Sequence, residues 1–239
     1  MRTVLITGAA SGIGLACARR FLAEGDRVVA HFRSHPKALL ELQNAFPGRL
    51  LPIQADLAAE DGCVSVFRDV AELQVLVHSA GVWNTSPLSQ INSKTLEYMF
   101  RTNTFSGYYL AREAAKRMVQ GSMIFIGSTA GQRGEPFHSH YAGSKAALWG
   151  LVQSAAQELA PRIRVNLVSP GWVRTPMAAP ALGDPEKLAR ILEAIPLKRV
   201  AEPEDVAAVV SFLASDGARH ITGADIPVSG GALLPLPRG

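Results

Sequence analysis

Apolar residues run almost unbroken through seven short stretches: Thr3–Thr7, Arg27–Phe32, Leu50–Gln54, Val75–His78, Ser122–Ile126, Arg164–Leu167 and Asp225–Val228. Most are β-branched and lack the polar alternation of a half-exposed strand, so they read as strands buried on both faces. Between them, apolar positions recur at helical spacing over Ile13–Glu24, Pro36–Ala45, Ala58–Val70, Thr102–Gln120, Tyr141–Ala160 and Pro203–Ser215. Strand and helix in alternation predict a doubly wound α/β fold, a parallel sheet with helices on both faces. The connection from Asp56 to Val75 is short, which predicts a trimmed third helix. The helix from Tyr141 to Ala160 is apolar nearly all round. It therefore needs cover beyond its own sheet, and a symmetric subunit contact would supply it.

Length and composition narrow this picture. The 239 residues suit one domain, 1–239, with enough chain for a substantial core. At 48% hydrophobic and 18% charged, the chain is a compact protein, not a disordered one. The net charge of +4 comes with no basic block, which argues against nucleic acid as a partner. No apolar run is long enough to span a bilayer. The opening Met1-Arg-Thr-Val-Leu-Ile-Thr-Gly8 enters a strand at once and leaves no room for a signal peptide, so a cytoplasmic location is expected. Cys17 and Cys63 fall in helices and read as reduced packing residues. The stretch richest in Pro, Ala and Gly, Pro170–Pro185, follows the sixth strand, where loops line the ligand crevice. It predicts a substrate lid over about 172–200, and the tail Pro235–Gly239 is expected to fray or pack on a partner.

The first strand runs into Gly8-Ala-Ala-Ser11-Gly12-Ile13-Gly14, and a helix follows. Glycines there permit a tight turn, close approach of a pyrophosphate to the backbone, and close helix–strand packing. The exposed N–H groups of the helix start would face the anion. The second strand ends in His31-Phe32-Arg33-Ser34, and no acidic residue occurs between Asp26 and Glu41. An NAD site places Asp or Glu at this edge for the ribose 2′-hydroxyl. Arg33 and Ser34 instead suit a 2′-phosphate, which predicts NADP(H) as cofactor.

Tyr141 and Lys145, four residues apart, share a helix face. An ammonium beside a phenol favours the phenolate and is expected to lower the tyrosine pKa. Ser128, thirteen residues upstream, offers a hydroxyl to hold a carbonyl oxygen. The set reads as a proton-transfer device for a ketone or an alcohol. His138 and His140 lack further ligands for a metal, so none is expected. Trp83, Phe137, Trp172 and Met177 fall near strand ends and the lid, where they either line an apolar substrate pocket or simply pack.

Together these motifs resemble the short-chain dehydrogenase/reductase family over almost the whole chain. The matching pieces are Thr7-Gly8-x3-Gly12-x-Gly14, Asp56-Leu57, Ala80-Gly81, Asn103, Ser128, Tyr141-x3-Lys145, Pro170-Gly171 and Ile221-Thr-Gly-Ala-Asp225 with Gly230-Gly231. The turn and the C-terminal pattern look most similar to 3-oxoacyl-[acyl-carrier-protein] reductases. Arg33-Ser34 is similar to the NADP edge of pteridine reductases, whose turn usually has a basic residue where this chain has Ser11. The resemblance implies a single Rossmann domain with a seven-stranded parallel sheet and a homotetramer. It implies that Asp56 contacts adenine with Leu57 beside the ring, that Ala80 and Gly81 border the cofactor, and that Asn103 kinks its helix and holds a water joined to Lys145. Pro170, Gly171, Val173 and Thr175 would frame the nicotinamide, and Lys145 would also hold its ribose. The implied substrate is a small carbonyl or alcohol, such as an acyl thioester on acyl carrier protein, for which Lys116, Arg117 and Arg162 are candidate contacts. A sugar, steroid, pteridine or xenobiotic substrate, or a non-catalytic NADP sensor, are the alternatives. The usual Asn-Asn-Ala-Gly is His78-Ser79-Ala80-Gly81 here, and the acidic residue often found before that strand is Gln74.

Overall fold

The computed structural model describes residues 1–235; the tail expectation for Pro235–Gly239 lies, beyond Pro235, outside the described residues. Seven strands, β1 (Thr3–Thr7), β2 (Arg27–Phe32), β3 (Leu50–Gln54), β4 (Val75–His78), β5 (Gly121–Ile126), β6 (Ile163–Pro170) and β7 (Asp225–Val228), form one sheet in the order β3-β2-β1-β4-β5-β6-β7. Every pairing is parallel. The helices are α1 (Gly12–Ala23), α2 (Lys37–Ala45), α3 (Glu60–Ser65), α4 (Ser93–Phe100), α5 (Ser106–Ala115), α6 (Thr129–Arg133), α7 (Ser139–Leu159), α8 (Ala179–Leu182), α9 (Pro185–Glu193) and α10 (Pro203–Ala214). This is a Rossmann arrangement.

Strand side chains alternate between two cores, as the two-residue period requires. Val4, Ile6, Val28, Ala30, Val75, Val77, Ile124 and Ile126 face a core closed by α1, α2 and α10. Leu5, Val29, Leu76, Met123 and Phe125 face a second core closed by α3, α5 and α7. The segment from Trp172 onward builds a third, small core of Ile191, Ile195 and Val200, against which Trp172, Leu188 and Leu192 pack. Cys17 and Cys63 are free and buried.

The helical reading needs one substantial correction. The helix expected over Thr102–Gln120 starts nine residues earlier, at Ser93, and ends at Ala115. Asn92 caps its start, accepting the Thr95 N–H at 2.9 Å. Between α4 and α5 the chain makes a π turn, Arg101–Phe105, in which the Ser106 N–H reaches back five residues to the Arg101 carbonyl. At the far end Gly121 adopts a φ of 157°, with a Cβ-forbidding approach to the Gln74 carbonyl. The third helix is indeed short: a Cβ at Gly62 would lie 1.9 Å from the Asp56 carbonyl oxygen, so α3 starts tight against the chain leaving β3.

Candidate active site

The sheet order reverses between β1 and β4, and the carboxyl ends of the strands open there into a crevice, the usual ligand site of such a sheet. A cleft of about 250 Å³ fills it. Its floor includes Gly8, Ser11, Gly12 and Ile13 from the turn after β1, and Ala80 and Gly81 after β4. Ser128, Tyr141 and Lys145 form one wall; Pro170, Gly171, Val173 and Thr175 after β6 form the other.

The turn is a cradle of bare backbone. A Cβ at Gly8 would sit 2.9 Å from the Ala80 Cα, one at Gly12 would sit 3.0 Å from the Thr175 methyl, and one at Gly14 only 2.3 Å from the Gly8 carbonyl oxygen. Gly8 and Gly12 also take positive φ, 67° and 51°. Ser11 precedes α1 with its hydroxyl capping none of the helix amides. Opposite, a Cβ at Gly81 would lie 3.2 Å from Asn103 Oδ1 and 3.3 Å from Lys145 Nζ. The residues present therefore fit a dinucleotide lying along the turn and over Gly81.

Two histidines hold this cradle from below. His31 Nδ1 accepts the Gly8 N–H at 3.2 Å, and its Nε2 meets the Ala55 carbonyl at 3.1 Å. Burial pushes its pKa down to about 4, so it stays neutral. His78, at the end of β4, bonds Thr7 Oγ1 at 2.9 Å and Ser106 Oγ at 3.2 Å. Neither contact follows from sequence spacing, because the partners lie far away in the chain.

Arg33 and Ser34 lie at the end of β2, exposed and outside the cleft walls. The Arg33 guanidinium donates to the Tyr98 hydroxyl on α4. Asp56 is exposed and its Oδ1 accepts the Ala58 N–H at 3.0 Å, while Leu57 is buried in the second core.

On the other wall, Ser128 caps α6 and its hydroxyl adjoins the Tyr141 phenol. The lowering of the Tyr141 pKa expected from Lys145 is not what the structure gives. Burial pushes the phenol up to about 12; the nearby Ser128 hydroxyl pulls down and the Glu135 carboxylate pushes up. Burial also pushes Lys145 down to about 8, and its Nζ donates to the Ile126 carbonyl at 2.8 Å. Helical spacing brought the two side chains to one face but said nothing of the desolvation, which sets the sign. Asn103 lies in the π turn. Its Oδ1 accepts the Val82 N–H at 2.7 Å, and its Nδ2 donates to the Val82 carbonyl at 2.9 Å and to Ser144 Oγ at 3.0 Å. Ser144 in turn donates to the Tyr141 carbonyl at 2.7 Å.

Trp83, Trp172 and Met177 line the cleft mouth, whereas Phe137 is 63% exposed and stands outside it. Trp83 stacks on His138 at 4.7 Å and meets Trp172 edge-on at 6.4 Å. His138 and His140 are held by Thr85 and Asn84. Among the described residues no three His, Cys, Asp or Glu side chains gather as a metal site, and no helix is long and apolar enough to cross a membrane. Sequence reasoning passed over Glu135, which lines the cleft, and the supporting Ser144. Lys116 and Arg117 are both engaged by buried Glu113, at 2.7 and 3.0 Å.

Comparison with known proteins agrees with this geometry. A family model described as enoyl-(acyl carrier protein) reductase matches residues 8–232. The 3-oxoacyl-[acyl-carrier-protein] reductase MabA of Mycobacterium tuberculosis is 37% identical, over 96% of this chain and 92% of its own length. The L-rhamnose 1-dehydrogenase (NAD(P)(+)) of Azotobacter vinelandii is 34% identical, over 98% of each chain. Among solved structures, one described as an NAD(P)-dependent gluconate 5-dehydrogenase from Beutenbergia cavernae, with NADP at low occupancy, superposes with a TM-score of 0.91 at 33% identity, over 98% of this chain and 97% of that one. A glycine cradle, a Ser–Tyr–Lys wall and a match over nearly the full length lead to one conclusion: the chain belongs to the short-chain dehydrogenase/reductase family of oxidoreductases.

Proposed function

We propose that this protein is an NADP(H)-dependent carbonyl reductase in which Tyr141 donates the proton. The observation that carries the reading is the meeting of Ser128, Tyr141 and Lys145 on one wall of a cleft whose floor is the glycine cradle. A bound nicotinamide supplies hydride. The chain supplies the rest. Ser128 holds the carbonyl oxygen beside the phenol and orients it. Tyr141, its phenol pushed up to about 12, stands protonated at neutral pH and gives its proton to that oxygen. Lys145 and Asn103 both face Gly81 and form the route by which the phenol is resupplied. Gly8, Ser11, Gly12, Ile13, Gly14, Ala80 and Gly81 would hold the pyrophosphate and its flanks, Asp56 and Leu57 the adenine end, and Pro170, Gly171, Val173 and Thr175 the nicotinamide end. Residues 172–200 serve as the lid, and the location is cytoplasmic.

Arg33 carries the cofactor preference. It stands where an NAD site has a carboxylate, and its fork suits a 2′-phosphate. The leading substrate class is a 3-oxoacyl thioester, in keeping with the MabA likeness. A sugar is the second reading, favoured by the rhamnose dehydrogenase likeness and by the carboxylate of Glu135 among cleft tryptophans. One panel tests all three points: oxidation of NADPH and of NADH by acetoacetyl thioesters, keto sugars, diketones, quinones and pterins. The expected result is faster turnover with NADPH, reversed or abolished by Arg33→Ala, with thioesters foremost. Inert thioesters beside active sugars would move the assignment to the second reading, and NADPH binding without any turnover would make the protein a sensor.

We further infer a homotetramer. The first half of α7 turns outward the small residues Gly143, Ala146, Ala147 and Gly150, before the exposed polar Gln153, Ser154, Gln157 and Glu158 of its second half, and the neighbouring α5 side exposes aromatic rings, Phe105 at 45% and Tyr108 at 48%. With Phe100 and Tyr109 they line a shallow apolar hollow over Ala147. Phe105→Arg places a charge in that hollow and is expected to shift sedimentation to a smaller particle. An unchanged mass would remove this face from the interface.

A further inference from the structure

His78 takes the place of the first asparagine in the Asn-Asn-Ala-Gly that the family resemblance implies, and nothing in the reaction just described uses it. It is fully buried, with the Phe125 ring set edge-on at 5.9 Å. The directions of its hydrogen bonds follow from counting protons. Thr7 Oγ1 accepts the N–H groups of Ser79 and Ala80, each at 3.1 Å, which takes both its lone pairs. Its one proton therefore goes to His78 Nδ1. Ser106 Oγ spends its own proton on the Thr102 carbonyl at 2.6 Å, so it accepts from His78 Nε2–H. One neutral tautomer satisfies every partner.

The run of bonds leads somewhere. It starts at the end of β1, beside the glycine cradle, and ends on Thr102 in the π turn. That turn presents Asn103 to Val82 and Ser144, and Thr104 Oγ1 donates to the Ser144 carbonyl at 2.8 Å. Ser144 holds the Tyr141 carbonyl. The covalent chain from His78 through Ala80 to Val82 closes the ring. Nδ1 lies as close to the backbone as an asparagine amide would, and Nε2, across Cε1 in the same rigid ring, reaches further out, which brings it to Ser106.

We propose that His78 is a positioning residue, tying the end of β1 to the π turn and so holding Asn103, the Ala80–Val82 loop and the Tyr141 turn of α7 in one register. The inference rests on the carbonyl-reductase reading for its kinetic arm. Its structural arm is independent of that reading.

The test uses Ser106→Ala, His78→Leu and His78→Gln, the last keeping one acceptor and one donor. Hydrogen–deuterium exchange is followed in segments 79–82 and 101–107, with kcat, KM and nucleotide Kd alongside. Ser106→Ala and His78→Leu are expected to speed exchange in both segments at once. They are also expected to lower kcat about tenfold while KM for the carbonyl moves less than about twofold, the pattern of a misplaced but intact site. His78→Gln is expected to restore most of both. Ser106→Ala is the milder change should His78→Leu fail to fold. Unchanged exchange in Ser106→Ala would overturn the tie itself. Faster exchange with unchanged kcat would overturn the positioning role. A wild-type protein without turnover would strike at the reductase reading alone, and the exchange arm would still decide for or against the tie.

Discussion

Tyr141→Phe is expected to lower kcat for carbonyl reduction by about 10²–10⁴-fold, the range for loss of a positioned proton donor, while nucleotide Kd stays within about twofold. The ring is kept, so packing against the cleft wall survives, and only the hydroxyl is lost. Stopped-flow or steady-state NADPH oxidation measures the first quantity and fluorescence titration the second. Unchanged turnover would end the assignment of Tyr141 as donor. The pH dependence gives a second reading of the same group. With the phenol pushed up to about 12, it is protonated throughout the neutral range, which suits reduction. In the alcohol-oxidising direction Tyr141 must first lose its proton, so the rate is expected to climb with pH on an acid limb well above neutrality. The Glu135 carboxylate contributes to that elevation. Glu135→Gln removes a negative charge that disfavours phenolate, so the limb should move to lower pH. A shift to higher pH, or none, would remove Glu135 from the electrostatics of the phenol.

The strands were readable because most are dense apolar runs; β1, β2, β4, β5 and β6 are buried nearly throughout, whereas the edge strands β3 and β7 are largely half-buried. The glycine turn and the Tyr141–Lys145 spacing were readable because their geometry is local. The helix before Asn103 was not. Its first half, Ser93–Phe100, buries only Met99, so its apolar signal is weak, and its true start is a polar cap at Asn92. The π turn leaves no mark in a period of 3.6. Arg33 announced itself by the absence of an acid, but its bond to Tyr98 joins residues 65 positions apart. The same distance problem hid the histidine supports, since His78 meets Thr7 across a strand pair and Ser106 across a layer. For Tyr141 and Lys145 the sequence supplied the neighbours and not the dielectric around them.

Gly14→Ala should be the most damaging single-methyl change in the chain for nucleotide binding. Helix propensity argues the other way, since alanine inside a helix is favoured over glycine by about 0.8–1 kcal/mol. Gly14 lies in the first turn of α1, where that gain should apply. Yet the added Cβ would stand 2.3 Å from the Gly8 carbonyl oxygen, 2.7 Å from its carbon and 3.1 Å from the Ala9 Cα. All three are backbone, so no side chain can swing aside. Either α1 backs away from the sheet or the Gly8–Ala9 peptide moves. The first loosens a helix whose Ala16, Cys17, Phe21 and Leu22 are buried in the first core. The second breaks the Ala9 N–H bond to the His31 carbonyl and tilts the amides proposed to meet the pyrophosphate. Overpacking of this kind costs about 1–3 kcal/mol, which outweighs the propensity gain. Thermal unfolding should therefore show a lower Tm, and nucleotide Kd should rise by at least about tenfold, because that peptide opens the turn proposed to bind the anion. Retained affinity together with a raised Tm would mean that the turn relaxes freely and that propensity decides. That result would also weaken the case for a cradle built on close backbone approach.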